Sequence, residues 1–389
     1  EDAYVRYFIA RWSYSPALHS LELANENSLR DDSYEAGFDL AEMVHNLSPR
    51  HVLMSNSFWG YFAEPFFVQS PRSSLIDYGD KHWYANRDST NSEVISTTWR
   101  DSAASVRECW KRFNEYRAMF NYQKPIVRGE GGVAQSGTQP QDPDILRDPT
   151  GTYYHKKLWA HLGALGYTCD GEWYPQLFVS YRDGQFPNST YNLESMFAAY
   201  ERFLQGEPLS NGNYQAIGTD LQAGQQVVVT VGTANLRAWG ASDSQAGRVI
   251  LWIDNASQTW KNVVDRVAIS PASGTLTLQG LPQGTYTVEW WDTWTGVVTS
   301  SNTASVSADG RLSLRVDNLT TDKAVKVRRQ VTSSITLRQG WNLISLPIAP
   351  VNCSITSLLS TVAQSCDQVC IYSRSGVTGT WVSYFPSNP

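Results

Sequence analysis

Two glutamates, Glu26 and Glu130, each lie near the end of a segment predicted to be a β-strand. Glu26 closes the segment "LHSLELANE", and Glu130 lies in "VRGEGG", where the flanking glycines leave room for the close approach of a ligand. Two carboxyl groups on opposite sides of a sugar's anomeric carbon can cleave a glycosidic bond. The protonated group gives its proton to the departing oxygen, and the ionised group attacks the carbon or activates water. Either glutamate alone is more commonly a solvated surface residue, so the hypothesis depends on the pair.

The positions of Glu26 and Glu130 depend on strands and helices that alternate through residues 1–206. This alternation predicts a parallel α/β architecture, and in a parallel barrel the carboxyl ends of the strands form one common face. Asp32, with Glu35 three positions later, predicts a capping box at the start of one helix. The predicted strands cover 18–26, 51–57, 74–84, 124–132 and 166–173, and further helices are predicted over 102–120, 152–165 and 193–204.

Four motifs on these strands occur in a characteristic order. They are "ELANE", "DKHWYAN", "KPIVRGEGG" and "DGEWY", on successive β/α units. Together they resemble the clan A glycoside hydrolases, of the cellulase-like, family-5 type. The resemblance covers roughly residues 1–206, and the shared order of the four motifs makes it fairly specific. It implies the C-terminal five β/α units, strands 4 to 8, of a TIM (β/α)8 barrel.

The resemblance also implies the roles of the two glutamates. Glu26 would be the acid/base, Glu130 the nucleophile, and Asn25 the donor to the sugar 2-hydroxyl. An amide suits that last role because Asn25 can donate to a hydroxyl without competing for the proton that Glu26 must deliver. Retention of the anomeric configuration is expected if the two carboxyl groups lie about 5–5.5 Å apart.

Three further residues belong to the implied site, and a fourth is a separate candidate. His82 and Tyr84 would line it, with the Tyr84 hydroxyl donating to Glu130, and Trp173 would form the floor beneath the reacting sugar. Outside this resemblance, a lone histidine is more often structural, and Trp173 could instead pack the barrel interior, although the floor role is favoured. Trp59, beyond the predicted fifth strand, is a candidate either for the border of a further sugar subsite or for an anchor of its loop.

The first three strands of such a barrel have no counterpart in this chain. An eight-unit barrel takes roughly 250 residues, whereas the alternating region covers 1–206. The opening "EDAYVRYFIARW" is typical of an amphipathic helix rather than of a first strand. We therefore expect the missing N-terminal part of the barrel to exist as a further or separate segment of the same parent protein, and to be a partner of this chain.

After the linker "QGEPLSNGN" the sequence pattern changes to short alternating runs separated by turn residues. This pattern predicts an antiparallel β-sandwich over 213–330, which would be an accessory domain. For its residues Trp290, Trp291 and Trp294, a packing role is favoured over sugar binding. A small β-rich module is predicted over 331–389. It contains Cys353, Cys366 and Cys370, which could supply one disulfide.

Composition restricts the partners of the chain. Its 389 residues carry a formal net charge of −6, which argues against a nucleic-acid partner. Aromatic residues make up 12%, which suits either stacking on neutral rings such as sugars or the filling of β-rich cores. No apolar run is long enough for a membrane span, and neither the histidine spacings nor the glycine motifs predict a metal site or another cofactor.

Two functions compete on the sequence alone. The first is a retaining glycoside hydrolase that cleaves β-glycosidic bonds of a polysaccharide or oligosaccharide by a two-glutamate double displacement, in a secreted or cell-surface bacterial protein. The alternative is a non-catalytic extracellular surface or matrix protein whose relic barrel serves carbohydrate binding or assembly. The presence of both Glu26 and Glu130 favours the first, because a relic does not need both carboxyl groups.

Overall fold

The computed structural model describes most of the chain outside its C-terminal module. The chain divides into two compact units, Glu1–Arg329 and Gln330–Pro389. The described residues of the second unit include one antiparallel hairpin, Val369–Ser375 paired with Thr378–Tyr384. Cys353 and Cys366 lie outside the described residues, and the division into three domains stays a prediction. The described residues are 2–59, 62–87, 98–134, 143–148, 150–165, 170–172, 193–221, 224–233, 235–330, 338–340, 342, 368–375 and 378–384.

The α-helices of the first unit differ in burial: α4 (Thr152–Ala160) is buried on nearly every side, whereas α2 (Asp31–Leu47) buries one stripe. In α2 the buried side chains recur at three- and four-residue intervals, as an amphipathic helix requires. α3 begins after Asp101, whose carboxylate accepts a 3.1 Å hydrogen bond from the Ala104 N–H and so caps the helix. None of the described helices is both long and apolar enough to cross a bilayer. The helices are α1 (Asp2–Trp12), α2 (Asp31–Leu47), α3 (Ser102–Met119), α4 (Thr152–Ala160), α5 (Leu193–Leu204) and α6 (Trp260–Val264).

The predicted capping box at Asp32 is wrong. The helix begins at Asp31, and Arg30 occupies the N-cap position without a side-chain capping bond. The Asp32 carboxylate accepts instead from the N–H of Ser33, the next residue. The Glu35 carboxylate binds the Arg72 guanidinium at 2.8 Å, so a partner distant in sequence takes the group that the capping box needs.

The strands of the first half pair in parallel and in chain order, as the strand–helix alternation predicts. β1 pairs with β2, and only Asn56 separates β2 from β3. The ladder continues from β3 to β4, β6 and β8, while the short strands β5 and β7 also pair in parallel. The strands are β1 (Ser20–Glu22), β2 (Leu53–Ser55), β3 (Ser57–Trp59), β4 (Gly79–His82), β5 (Ala85–Asn86), β6 (Ile126–Gly131), β7 (Val133–Ala134) and β8 (Asp170–Glu172).

The second half of the first unit consists of antiparallel strands. Among the described residues they form a six-stranded sheet in the order β15-β14-β17-β12-β11-β9 and a three-stranded sheet in the order β10-β13-β16. Alternating apolar side chains from both sheets join one buried cluster. The strands are β9 (Gln215–Gly218), β10 (Val228–Val231), β11 (Leu236–Asp243), β12 (Arg248–Asn255), β13 (Ala272–Gln279), β14 (Gly284–Asp292), β15 (Val297–Val306), β16 (Arg311–Leu319) and β17 (Asp322–Arg329).

The parallel and antiparallel halves share a core. One buried cluster includes Phe38 and Phe58 of the parallel half together with Trp239 and Trp252 of the antiparallel half. Two tryptophans of the predicted accessory domain also pack against helices of the parallel half. Trp294 stacks on His155 of α4 at a ring-centroid distance of 3.7 Å, and Trp291 meets Phe203 of α5 at 5.5 Å. The antiparallel half therefore supports the helices of the parallel half.

Candidate active site

Glu26 lies in a turn after β1 that is tied to the adjacent strand. Its backbone N–H donates a 2.8 Å hydrogen bond to the Ser57 hydroxyl, and the Ser57 N–H donates to the Ala24 carbonyl at 3.2 Å. Glu26 has a φ of 48°, in the left-handed region that residues with a side chain rarely adopt. Such a conformation persists only where the surroundings enforce it, and here Ser57 does so.

β4 ends at His82, and the chain that follows it alongside β6 continues to send alternate side chains to opposite sides. Trp83 is fully buried, and its ring stacks against Phe113 of α3 at 5.8 Å. His82 and Tyr84, one residue to either side, therefore point away from the helix. His82 is 1% exposed, so this ring is held firmly by its surroundings.

Glu26, His82, Tyr84 and Glu130 converge at the carboxyl ends of the strands. The His82 Nδ1 atom lies 2.9 Å from Oε1 of Glu26 and 3.1 Å from Oε2 of Glu130. The Tyr84 hydroxyl donates a 2.6 Å hydrogen bond to Oε2 of Glu130. One carboxylate oxygen of each glutamate and the His82 nitrogen lie within 4.8 Å of one another. A ring nitrogen between two carboxylates reduces the repulsion that would otherwise oppose their approach.

The two glutamates differ in environment. The Glu26 side chain is 38% exposed, whereas that of Glu130 is 15% exposed and has Tyr84 and His82 beside it. The accessible carboxyl can exchange protons with solvent, and the enclosed one has a fixed orientation. The same donor set of two carboxylates and one imidazole could also hold a divalent cation, which would occupy the groups that acid/base chemistry needs.

Asp80 is a site neighbour that the sequence analysis missed. It lies two residues before His82 on β4 and is 6% exposed. Burial raises the pKa of Asp80 to about 7, although the hydrogen bond from the Gly129 N–H and the proximity of His82 lower it. Glu22 and Glu130 act in the same direction as burial. Alternate residues of a strand share a face, so the position of Asp80 two residues before His82 could have placed it on this face from the sequence.

Gly129 makes room for Asp80. Its N–H donates to the Asp80 carboxylate at 2.8 Å, and a Cβ atom at position 129 would lie 2.5 Å from Asp80 Oδ1. The glycines around Glu130 were expected to leave room for a ligand. At Gly129 the Asp80 side chain occupies that room instead. The absence of a side chain at Gly129 thus sets the spacing between β4 and β6 next to Glu130.

The remaining predicted site residues are Asn25, Trp59 and Trp173. Asn25 is exposed in the turn before Glu26. Trp59 ends β3, where its backbone is in register with that of His82 in the adjacent strand. Trp173 directly follows β8 and lies outside the described residues.

Comparisons with known proteins show a likeness of fold. No family model and no curated protein matches the sequence. The chain is similar in structure to a glycoside hydrolase family 5 protein from Bacteroides vulgatus ATCC 8482, with 12% identity and a TM-score of 0.52 over 84% of this chain and 66% of that one. A structure described as a glycoside hydrolase matches with 12% identity and a TM-score of 0.49, over 85% of this chain and 69% of that one.

A third structure is a glycoside hydrolase family 44 endoglucanase produced by Clostridium acetobutylium ATCC 824, with 12% identity and a TM-score of 0.46 over 84% of this chain and 70% of that one. The chain thus spans about two thirds of the length of each of these proteins. The fold argument rests on the family 5 structure, because the other two TM-scores are below 0.5. At 12% identity the likeness shows a fold similar to that of glycoside hydrolases.

Proposed function

We propose that this protein is a retaining glycoside hydrolase acting on β-glycosidic bonds of a polysaccharide or oligosaccharide. The proposal rests on one observation: carboxylate oxygens of Glu26 and Glu130 approach within 4.8 Å at the carboxyl ends of parallel strands. Inverting enzymes separate their carboxyl groups by about 6.5–9.5 Å to leave room for a water molecule, and retaining enzymes by about 5–5.5 Å. The spacing here favours direct attack by one carboxylate.

The environments of the two carboxyl groups favour one division of roles. In the first step Glu130 attacks the anomeric carbon, and the bond from that carbon to the leaving oxygen breaks as Glu26 donates its proton to that oxygen. In the second step Glu26 takes a proton from water, the resulting hydroxide attacks the anomeric carbon, and Glu130 leaves as a carboxylate. Tyr84 holds Oε2 of Glu130, so Oε1 is the oxygen positioned to attack.

Further contacts to the sugar belong to the same proposal. Asn25, exposed beside Glu26, would donate to the 2-hydroxyl of the sugar bound for attack. Trp173 would form the floor of that subsite, and Trp59 would border the next one. A secreted or cell-surface location in a bacterium remains the expected setting.

Replacement of each glutamate tests the proposal. Glu26→Gln and Glu130→Gln keep the size of the side chain and remove its acid or nucleophilic function, so each is expected to lower turnover of aryl β-glycosides on the order of 10³-fold. Glu115→Gln is the matched control, because Glu115 is 58% exposed in an ion pair on α3. Far-UV circular dichroism checks that all variants fold.

Two results would contradict the proposal. Wild-type turnover in both glutamine variants would show that the carboxyl groups are not catalytic. Binding of glycans without hydrolysis by the parent chain, across a panel of β-linked polysaccharides, would favour the non-catalytic carbohydrate-binding alternative.

A further inference from the structure

A second cluster of ionisable side chains lies at the opposite ends of the same strands. It consists of His45, His51 and Asp77, each of which offers one donor atom within 4.8 Å of the other two. His45 lies in the last turn of α2, His51 two residues before β2, and Asp77 two residues before β4. We call this group the amino-end cluster, because parallel strands bring their amino ends to one edge.

The contacts within the amino-end cluster fix Asp77 and leave His45 incompletely bonded. Nε2 of His51 lies 2.9 Å from Oδ1 of Asp77, and the Met54 N–H donates to Oδ2 of Asp77 at 2.7 Å. The rings of His45 and His51 face each other at a centroid distance of 5.0 Å. The Nε2 atom of His45 is buried and has no hydrogen-bond partner among the described residues. An unsatisfied buried nitrogen costs free energy unless another group binds it.

We propose that His45, His51 and Asp77 bind a divalent transition-metal ion, with Zn²⁺ as the best fit. Two imidazole nitrogens and one carboxylate oxygen form a donor set that Zn²⁺ accepts, whereas Mg²⁺ and Ca²⁺ prefer oxygen alone. Ligand atoms that share a tetrahedral Zn²⁺ lie about 3.3 Å apart, given bonds of about 2.0 Å. His51 is 60% exposed, so its ring can rotate to close the set, and solvent can fill the fourth position.

Binding changes one hydrogen bond and keeps another. The ion takes the place of the hydrogen atom between Nε2 of His51 and Oδ1 of Asp77, and neutral His51 then has its ring proton on Nδ1. The hydrogen bond from Met54 to Oδ2 remains and orients the carboxylate, as outer-shell partners of metal ligands do. The ion would join the C-terminal turn of α2 to the amino ends of β2 and β4. Its role is therefore structural, at the end of the sheet opposite to Glu26 and Glu130.

Zinc titration of the full chain tests the site. Glu26, His82 and Glu130 could also bind zinc, so the parent for all measurements has Glu26→Gln and Glu130→Gln. After chelator treatment, ZnCl2 is titrated by calorimetry, and thermal unfolding is followed with ZnCl2 or MgCl2. His51→Ala removes a largely exposed ligand and is expected to fold. His19→Ala is the matched control, since His19 is exposed and outside the cluster.

The expected result is a rise in Tm with zinc but not with magnesium in the parent and in His19→Ala. His51→Ala should lose that rise and bind zinc at least about tenfold more weakly. Zinc affinity and Tm response in His51→Ala equal to those of the parent would overturn the proposal, as would the absence of any zinc response in the parent. X-ray absorption adds an independent test, because sulfur in the zinc shell of the parent would place the ion at cysteines instead.

Discussion

The Tyr84 hydroxyl donates a 2.6 Å hydrogen bond to Oε2 of Glu130. Tyr84 follows β4 and Glu130 lies on β6, and these strands are neighbours in the parallel sheet. The bond therefore spans the gap between two strands and fixes the rotamer of a carboxylate that His82 also contacts. Short hydrogen bonds to a charged acceptor are among the stronger ones in proteins.

Removal of this hydrogen bond should impair the chemical step more than binding. Tyr84→Phe keeps the ring and removes the hydroxyl that orients Oε2 of Glu130, with His82 still beside that oxygen, so kcat should fall roughly 10- to 100-fold with little change in KM. Steady-state kinetics on an aryl β-glycoside measures both. Tyr78→Phe is the control, because the Tyr78 hydroxyl donates to Ser20 at 3.2 Å, away from Glu130. An unchanged kcat in Tyr84→Phe would show that the bond does not serve catalysis.

The close approach of Glu26 and Glu130 predicts the stereochemistry of the product. Double displacement inverts the anomeric carbon twice, so the first product formed should have the β configuration of the substrate. Proton NMR of the anomeric signals during the first minutes of hydrolysis distinguishes the two anomers before mutarotation. Initial release of the α anomer would refute the direct attack of Glu130.

Asp80 predicts a pH dependence of stability. Burial raises its pKa from 3.8 to about 7 in the folded state, so between about pH 4 and pH 7 the Asp80 carboxyl binds more protons in the folded protein than in the unfolded chain. The contribution of Asp80 to the free energy of unfolding should therefore decrease as the pH rises through this window, by at most on the order of 4 kcal/mol. Asp80→Asn can still accept from the Gly129 N–H and should flatten the decrease. Urea unfolding at pH 5 and pH 8 compares the two proteins, and parallel pH profiles would refute the assignment.

Gly129 should not tolerate even a methyl group. A Cβ atom there would lie 2.5 Å from the Asp80 carboxylate, which is buried and unable to move away freely. Gly129→Ala should therefore destabilise the fold by about 1–3 kcal/mol and displace Glu130, with a loss of activity. Gly232→Ala is the control, because no other atom of the described residues lies within 4 Å of its added Cβ. Urea unfolding and kinetics of both variants provide the comparison, and equal effects in the two would contradict this account.

A buried ionic network should make the two halves of the first unit unfold together. Lys156 of α4 pairs with Asp254 of β12, and both side chains are at most 1% exposed. Lys156→Met leaves Asp254 with Arg237, at 2.7 Å, as its ion-pair partner among the described residues, and the loss of one partner of a buried pair should cost about 3–5 kcal/mol. Lys111→Met, at a partly exposed ion pair, should cost less than about 1 kcal/mol.

Urea unfolding followed by fluorescence and by circular dichroism should give one coincident transition. Two separate transitions would show independent halves.

The sequence predicted the strands well because their signals are local. Each of the five predicted parallel strands overlaps an observed one, since short apolar runs between helices have few alternatives. Local signals failed where a distant residue competes. Glu35 fits the capping-box pattern, but Arg72, 37 positions away, takes its carboxylate.

The sequence by itself determined which residues could do chemistry: two glutamates at strand ends, with a histidine and a tyrosine spaced to share one face of a strand. The tertiary structure decided which of them meet. The contact of His82 with both glutamates, the space that Gly129 leaves for Asp80 and the approach of His45 to Asp77 join residues far apart in the chain. Such contacts depend on strand register and on how helices pack against the sheet. Those quantities are set by the burial of many side chains at once, and no single motif encodes them.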